Sequence, residues 1–166
     1  MSTSPIATHR LRIISIVMFL VLLLPGGLPA RIRYLQGKVT SVKDGDTIEI
    51  LQHRKAYRIR LNGIDCPEKR QAYGMQAKQF TAKLCFGKTV SAKVYNQDRY
   101  KRYVADIILP NGSVLNKELL RAGLAWHYKH YSKDKVLAAL EEEAKAKKAG
   151  LWADKAPVPP WKYRRH

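Results

Sequence analysis

Between Thr47 and Asn62 the chain alternates apolar and polar residues with a period of two, and that pattern restricts it to an antiparallel meander. Thr47-Ile48-Glu49-Ile50-Leu51 alternates, Gln52 to Lys55 is a polar turn, and Tyr57, Ile59 and Leu61 then alternate with Arg58, Arg60 and Asn62. Upstream, Ile32, Tyr34 and Val39-Thr40-Ser41-Val42 suit a strand that runs into Asp44-Gly45-Asp46, and Asp-Gly is a strong turn signal. The third strand ends in an unusual way. Arg60-Leu61-Asn62-Gly63-Ile64-Asp65-Cys66-Pro67-Glu68 delivers one cation and two anions to the edge of an apolar strand. Charges near a core need partners, and a metal ion and a phosphate are partners of the right kind.

The remaining elements follow from periodicity. Gly74 to Phe86 reads as a helix with Ala77, Phe80, Thr81, Leu84 and Cys85 on one stripe, and Gly87 closes it. Val90, Ala92 and Val94 predict a fourth strand, and Val104 to Leu109 a fifth that ends at Pro110-Asn111-Gly112. Leu115 to Ala122 is a short helix stopped by Gly123. Ser132 is the expected cap of a longer helix, Lys133 to Lys148, whose apolar stripe is Val136, Leu137, Leu140, Ala144 and Leu151. Glu141 to Glu143 with Lys145, Lys147 and Lys148 read as a solvated, self-paired face. Three strands, a helix, two strands and two helices make an α+β chain, mainly β. The order is that of a five-stranded Greek-key barrel of the OB type with three α-helices.

At 166 residues the chain has room for one domain of ordinary size. Its net charge of +18 points to polyanions or an anionic membrane surface as partners. Arg10 and Arg12 are the only Lys or Arg in the first thirty residues, so 29 of the 31 basic residues and all 13 acids lie beyond them. The basic character belongs to the domain. Residues 1–30 run from His9, Arg10 and Arg12 through an apolar stretch, Ile13 to Leu24, to Pro25-Gly26-Gly27 and Ala30. That order describes a signal peptide, with an uncleaved N-terminal membrane anchor through residues 13–24 as the alternative. The expected location is therefore secreted or periplasmic, with membrane attachment if the segment stays. Residues 31–156 form the expected domain, and 157–166 a loose, proline-rich and basic tail. Cys66 lies in the charged turn and Cys85 on the apolar face of a helix, which argues against their pairing.

Asp44, Asp46, Asp65 and Glu68 are four of only thirteen acids. The meander brings the turn after the first strand close to the end of the third, so Asp46 and Asp65 cluster. Two carboxylates with a backbone carbonyl and waters suit calcium or magnesium. An Asp-Gly-Asp turn alone is more often just a hairpin, and Asp44 reads as its side-chain cap. Asp98-Arg99-Tyr100-Lys101-Arg102-Tyr103 is a basic loop whose interleaved tyrosines suit nucleic acid. Arginine binds phosphate oxygens in pairs and keeps its charge.

These residues, in this order, resemble the staphylococcal nuclease (thermonuclease) family of OB-fold phosphodiesterases. The resemblance covers about Gln36 to Trp152. It rests on Val42-Lys43-Asp44-Gly45-Asp46-Thr47, on Arg60-Leu61 through Asp65-Cys66-Pro67-Glu68, on Tyr73-Gly74, on Asp98 to Arg102, on Arg121-Ala122-Gly123-Leu124-Ala125, and on Gly150-Leu151-Trp152. It implies that Asp46 and Asp65, with the backbone carbonyl of Cys66, hold a calcium ion. It further implies that Glu68 is the general base, that Arg60 and Arg102 grip the phosphate and stabilise the transition state, and that Tyr100 contacts a nucleotide phosphate. Arg99 in the same loop and Tyr131, which fits one of the family's base-stacking tyrosines, complete the expected substrate contacts. Lys129 occupies the other stacking position, with Tyr128 beside it. The implied activity is calcium-dependent endonucleolytic hydrolysis of DNA and RNA, with little sequence or sugar specificity, that leaves 3′-phosphate ends. A monomer is expected.

The chain departs from the family pattern in two places. The loop from Lys69 to Ala72 is short, and Lys101 stands where the loop motif usually has glycine. A different class of function, an OB module that binds nucleic acid without cutting it, remains as the alternative. Retention of Asp46, Asp65, Glu68, Arg60 and Arg102 together favours the enzyme. A membrane-surface protein would account for the basicity but not for the acids.

Overall fold

The structure is a computed structural model that describes residues 33–165. The leader or anchor expected over residues 1–30 lies outside the described residues. Among the described residues no helix is long and apolar enough to cross a membrane.

Five strands close a barrel: β1 (Arg33–Val42), β2 (Thr47–Gln52), β3 (Lys55–Leu61), β5 (Thr89–Gln97) and β6 (Tyr103–Ile108), in the spatial order β1-β2-β3-β6-β5. All neighbours are antiparallel except β3 and β6, which pair in parallel and close the barrel. The alternation in sequence becomes an inside and an outside: Ile48, Ile50, Ile59 and Leu61 are buried, whereas Leu51 and Arg58 face out. Each such buried side chain contributes roughly 1.5–3 kcal/mol relative to exposure. His53 and Arg54 both adopt positive φ (47° and 63°) in the two-residue turn between β2 and β3, the geometry that matches the twist of a tight hairpin. The five expected strands and the barrel they form are therefore those observed. Two further two-residue strands, β4 (Ile64–Asp65) and β7 (Trp126–His127), pair outside the barrel. They carry too few residues for any periodicity to be read.

Among the described residues three main helices accompany the barrel: α1 (Gly74–Cys85), α2 (Leu115–Arg121) and α3 (Lys135–Ala146). Ala77, Thr81 and Cys85 of α1 are buried, and the Thr81 hydroxyl donates to the Gly45 carbonyl at 2.6 Å. This bond clamps the helix onto the Asp-Gly-Asp turn. α3 packs on α2. It starts later than the sequence implies, because Asp134 rather than Ser132 is the cap: its carboxylate accepts from the amides of Val136 (2.7 Å) and Leu137 (3.3 Å). A carboxylate reaches two amides and also favours the positive helix end. The start of α3 leaves Val136 exposed rather than in the stripe.

Glu141 is likewise corrected. It is buried rather than solvated, and it accepts from the His127 amide (3.0 Å), Lys129 (3.0 Å) and Lys145 (3.1 Å). Glu142 and Glu143 do pair on the surface with Lys145 and Lys147. Both cysteines are free and buried.

The tail is not loose. Pro159 and Pro160 open a one-turn helix, α4 (Pro160–Tyr163), after a 3-10 turn at Gly150–Ala153. Proline at the first helical position is preset for the helix and loses no needed donor. The run is thus a stiff spacer that ends in a packed turn.

Candidate active site

Three connections meet at one end of the barrel: the β1–β2 turn, the stretch after β3, and the β5–β6 turn. They line a cleft of about 820 Å³ that holds Asp44, Asp46, Arg60, Asp65, Cys66, Glu68, Arg99, Tyr100, Arg102 and Tyr131, so every residue expected at the site lines this one cleft.

Barrel register sets the acid half. Thr47 pairs with Arg60, and the Leu61 amide donates to the Asp46 carbonyl at 2.8 Å, so Asp46 lies beside the end of β3. Gly45 makes room, since a Cβ there would meet Cys66 and Ala77 at under 3 Å. The Cys66 amide then donates to Asp46 Oδ2 at 2.7 Å. Asp65 is held from the other side, because β4 pairs Asp65 with Trp126 and the Tyr128 amide donates to the Gly63 carbonyl at 2.9 Å. Buried Asn116 fixes the preceding turn. Its amide nitrogen donates to the Asn62 carbonyl at 2.9 Å, and its oxygen accepts from the Ile107 amide at 3.1 Å. Sequence reasoning assigned Asn116 no role; its only signal was a polar residue on the buried side of α2.

Arg60 lies between the two acids. One guanidinium nitrogen pairs with Asp46 Oδ1 and the other donates to Asp65 Oδ1 at 2.6 Å. Burial opposes the charge on Asp46, yet Arg60 and the Cys66 amide outweigh it and hold the carboxyl below the usual carboxylate range. The same acids raise the affinity of Arg60 for its proton against the opposing effect of burial. Asp44 behaves differently. Burial, and then the charge of Asp46, push it up to about 7. Its Oδ1 accepts from the Asp46 amide at 3.1 Å, which is the capping role expected of it. Burial and the charge of Asp46 also push the Cys66 thiol well above its ordinary value, so this sulfur is a neutral thiol rather than a thiolate ligand.

Glu68 is partly exposed in the cleft. Its loop is short and internally stitched: the Glu68 amide donates to Gln71 Oε1 (3.1 Å), and the Gln71 amide donates back to the Glu68 carbonyl (2.8 Å). Gly74 packs directly on that carbonyl, where any Cβ would collide with it. The carboxylate itself is met by a residue that the sequence reading left in the tail. Arg164 Nη1 donates to Glu68 Oε1 at 2.6 Å, and Nη2 donates to Asp65 Oδ2 at 2.7 Å. A run of Lys162, Arg164 and Arg165 after a rigid proline segment was the signal available.

The cationic half is built locally. Asp98 Oδ1 accepts from the amides of Tyr100 and Arg102, both at 2.9 Å, and Oδ2 accepts from Arg102 Nε at 2.8 Å. Burial opposes the Asp98 charge, but the Arg102 amide and guanidinium and the Tyr100 amide together outweigh it and hold the carboxyl below its ordinary value. Lys101 sits at φ 61°, the left-handed conformation that glycine adopts without cost. The turn geometry is thus kept despite the lysine, and Arg102 still faces the cleft. The guanidinium carbons of Arg99 and Arg102 lie 4.8 and 5.4 Å from the centre of the exposed Tyr100 ring.

At the far wall Tyr131 is exposed and meets Tyr128 edge-on at 4.9 Å. Lys129 turns away to Glu141, so the second aromatic of this wall is Tyr128, its neighbour in sequence.

The donor set at Asp46 and Asp65 fits a hard divalent cation. Among the described residues no group of three or more His, Cys, Asp or Glu gathers into a ready-made cluster. The protein's share is the carboxyl groups of Asp46 and Asp65, with Asp44 beside Asp46. Ions that complete their shell with carbonyl and water oxygens accept such a partial set.

Comparison with known proteins agrees with this geometry. The sequence profile of the family described as "Staphylococcal nuclease homologue" matches residues 58–154, which include the end of the third strand, Glu68 and the arginine loop. A protein of Escherichia coli named "Uncharacterized endonuclease" is 46% identical over 130 residues, 78% of this chain and 85% of its own. The "Staphylococcal-like nuclease CAN1" of Arabidopsis thaliana is 45% identical over 112 residues, 68% of this chain and 34% of its own. An "Uncharacterized endonuclease" of Haemophilus influenzae is 38% identical over 129 residues, 77% of this chain and 72% of its own. With the closed barrel, the helices and the charged cleft already in place, the chain belongs to the staphylococcal nuclease family.

Proposed function

We propose that the protein is a calcium-dependent nuclease that hydrolyses phosphodiester bonds in DNA and RNA with little preference for sequence or sugar and leaves 3′-phosphate ends. One observation carries this reading. Asp46, Asp65, Glu68 and Arg60 meet at one barrel end, and Arg102 faces them from across the same cleft. The names of the relatives support a nuclease.

Each group has a task that its surroundings suit. Water is a weak nucleophile near neutral pH, so a base must take its proton. Glu68 is the acid of this cluster with cleft exposure, and Gln71 and Gly74 keep its backbone in place. Arg60 and Arg102 carry permanent charge and donate in fixed directions to the non-bridging phosphate oxygens, where charge builds up in the transition state. Each such donor is worth about 3–4 kcal/mol. Calcium at Asp46, Asp65 and the Cys66 carbonyl supplies, when bound, concentrated positive charge beside the phosphate. Tyr100, Arg99 and Tyr131 grip the flanking nucleotides by charge and by stacking. The charged, apolar and small-residue order of residues 1–30 supports an exported enzyme.

The test is incubation of the protein with plasmid DNA and with RNA, in calcium and in excess chelator. Both substrates are expected to be degraded in calcium and spared in chelator, and the products to prime a polymerase only after phosphatase treatment. Equal degradation in chelator overturns the calcium requirement. Binding without degradation in either condition favours the non-catalytic OB module.

A further inference from the structure

We propose that residues 158–164 are a built-in strap over Asp65 and Glu68, with the Arg164 guanidinium competing with the divalent cation for these carboxylates. The inference rests on the calcium reading above and adds a device that controls access to that site.

The contact is specific. Arg164 reaches both oxygens of Asp65, Oδ2 at 2.7 Å and Oδ1 at 3.3 Å, and Glu68 Oε1 at 2.6 Å. These carboxylates are assigned to the metal and to the attacking water. Arg60 already takes Asp65 Oδ1, so Arg164 on Oδ2 holds the oxygen left open for a divalent ion, and the two cations compete for it. The strap is also anchored away from the acids. Gln71 Nε2 donates to the Val158 carbonyl at 2.5 Å, which ties the strap to the Glu68 loop. Trp161 stacks on Tyr128 at 5.3 Å with an interplanar angle of 5° and meets Trp126 edge-on at 5.7 Å. The strap therefore covers one face of an aromatic that lines the substrate cleft, as well as the acids.

The same contacts make it releasable. The side chains of Arg164 and Glu68 remain 41% and 37% exposed, so that pair is weak and exchangeable, while the pair to buried Asp65 is the one an incoming cation contests. The helix in the strap is a single turn, from Pro160 to Tyr163, too short to persist by itself once undocked. Docked, the strap neutralises carboxylates that would otherwise repel. With calcium and nucleic acid present, both of its docking points are contested.

The experiment is calcium titration by calorimetry on the full chain without nucleic acid, comparing the native protein with Arg164→Ala and Trp161→Ala. Both variants are expected to bind calcium more tightly, by about three- to tenfold for Arg164→Ala. In the native protein, calcium is expected to speed hydrogen exchange at the amides of Tyr163 and Arg164, which donate to the Pro159 and Pro160 carbonyls. Equal or weaker calcium binding by Arg164→Ala, or exchange unmoved by calcium, overturns the strap and leaves the calcium site standing. No calcium binding by any of the three proteins overturns the calcium reading and the strap with it.

Discussion

The two halves of the cleft are built in opposite ways. The acid half is assembled from distant parts of the chain: Asp46 from the β1–β2 turn, Asp65 from β4, and Arg60 between them, all buried or nearly so and each held by at least two bonds. The arginine loop is held almost wholly by one of its own residues, Asp98, within five positions of chain, and Tyr100 stands out into solvent. Groups that act on reacting atoms need fixed geometry, and burial in a closed barrel provides it. Groups that first meet a long flexible polymer work from exposed ground, where local turns suffice.

This contrast is open to attack, beginning where the effect should be greatest. Glu68→Gln keeps the shape of the acid half and removes the carboxylate proposed as base. Turnover at saturating calcium and plasmid is expected to fall by about 10²- to 10⁴-fold, while thermal unfolding stays cooperative. Arg102→Ala is expected to cost about 10²- to 10³-fold, with a rise in the substrate concentration needed as well. If either variant keeps near-native turnover, the assignment of roles between the halves is wrong.

A smaller effect is expected at Glu141, which supports the acid half from behind through β7. Burial opposes its charge, but Lys129, the His127 amide and Lys145 hold its carboxyl below the ordinary value of 4.5. A depressed carboxyl contributes stability that is present above about pH 4.5 and is lost as pH falls through the lower, folded value. Glu141→Gln is therefore expected to lower neutral-pH stability by about 1–3 kcal/mol and to flatten the fall in stability below pH 4.5. Chemical denaturation at several pH values measures both. A native-like acid limb in the variant would remove Glu141 from this role.

The smallest effect falls on the arginine loop. Lys101→Gly relieves a left-handed lysine and is expected to stabilise the fold by up to about 1 kcal/mol, read as a rise in denaturation midpoint. Destabilisation would mean that the lysine side chain holds the loop in a way its backbone does not reveal.

Much of this was legible in one dimension. The alternation from Thr47 to Asn62 predicts the meander, the stripe from Ala77 to Cys85 predicts α1, and both are observed because side-chain periodicity follows backbone geometry directly. The site residues were legible for a related reason: acids are scarce in this chain, so Asp44, Asp46, Asp65 and Glu68 stand out together. What misled was local context. Glu141 sits in a run of charges that looks solvated, and only the packing of α3 under β7 puts its carboxylate beside an unpaired amide. Ser132 and Asp134 are both good caps, and the path of the chain chooses between them.

By itself, then, the sequence determined the barrel, its helices and the set of groups that gather at one end, since periodicity and turn chemistry act over a few residues. Tertiary structure alone decided which charge meets which. Arg60 joins two acids whose positions depend on strand register, and Arg164 reaches across 99 positions of chain to Asp65. Pairings of that range are set by where the core and the barrel ends place the backbone, and no window of neighbouring residues contains that information.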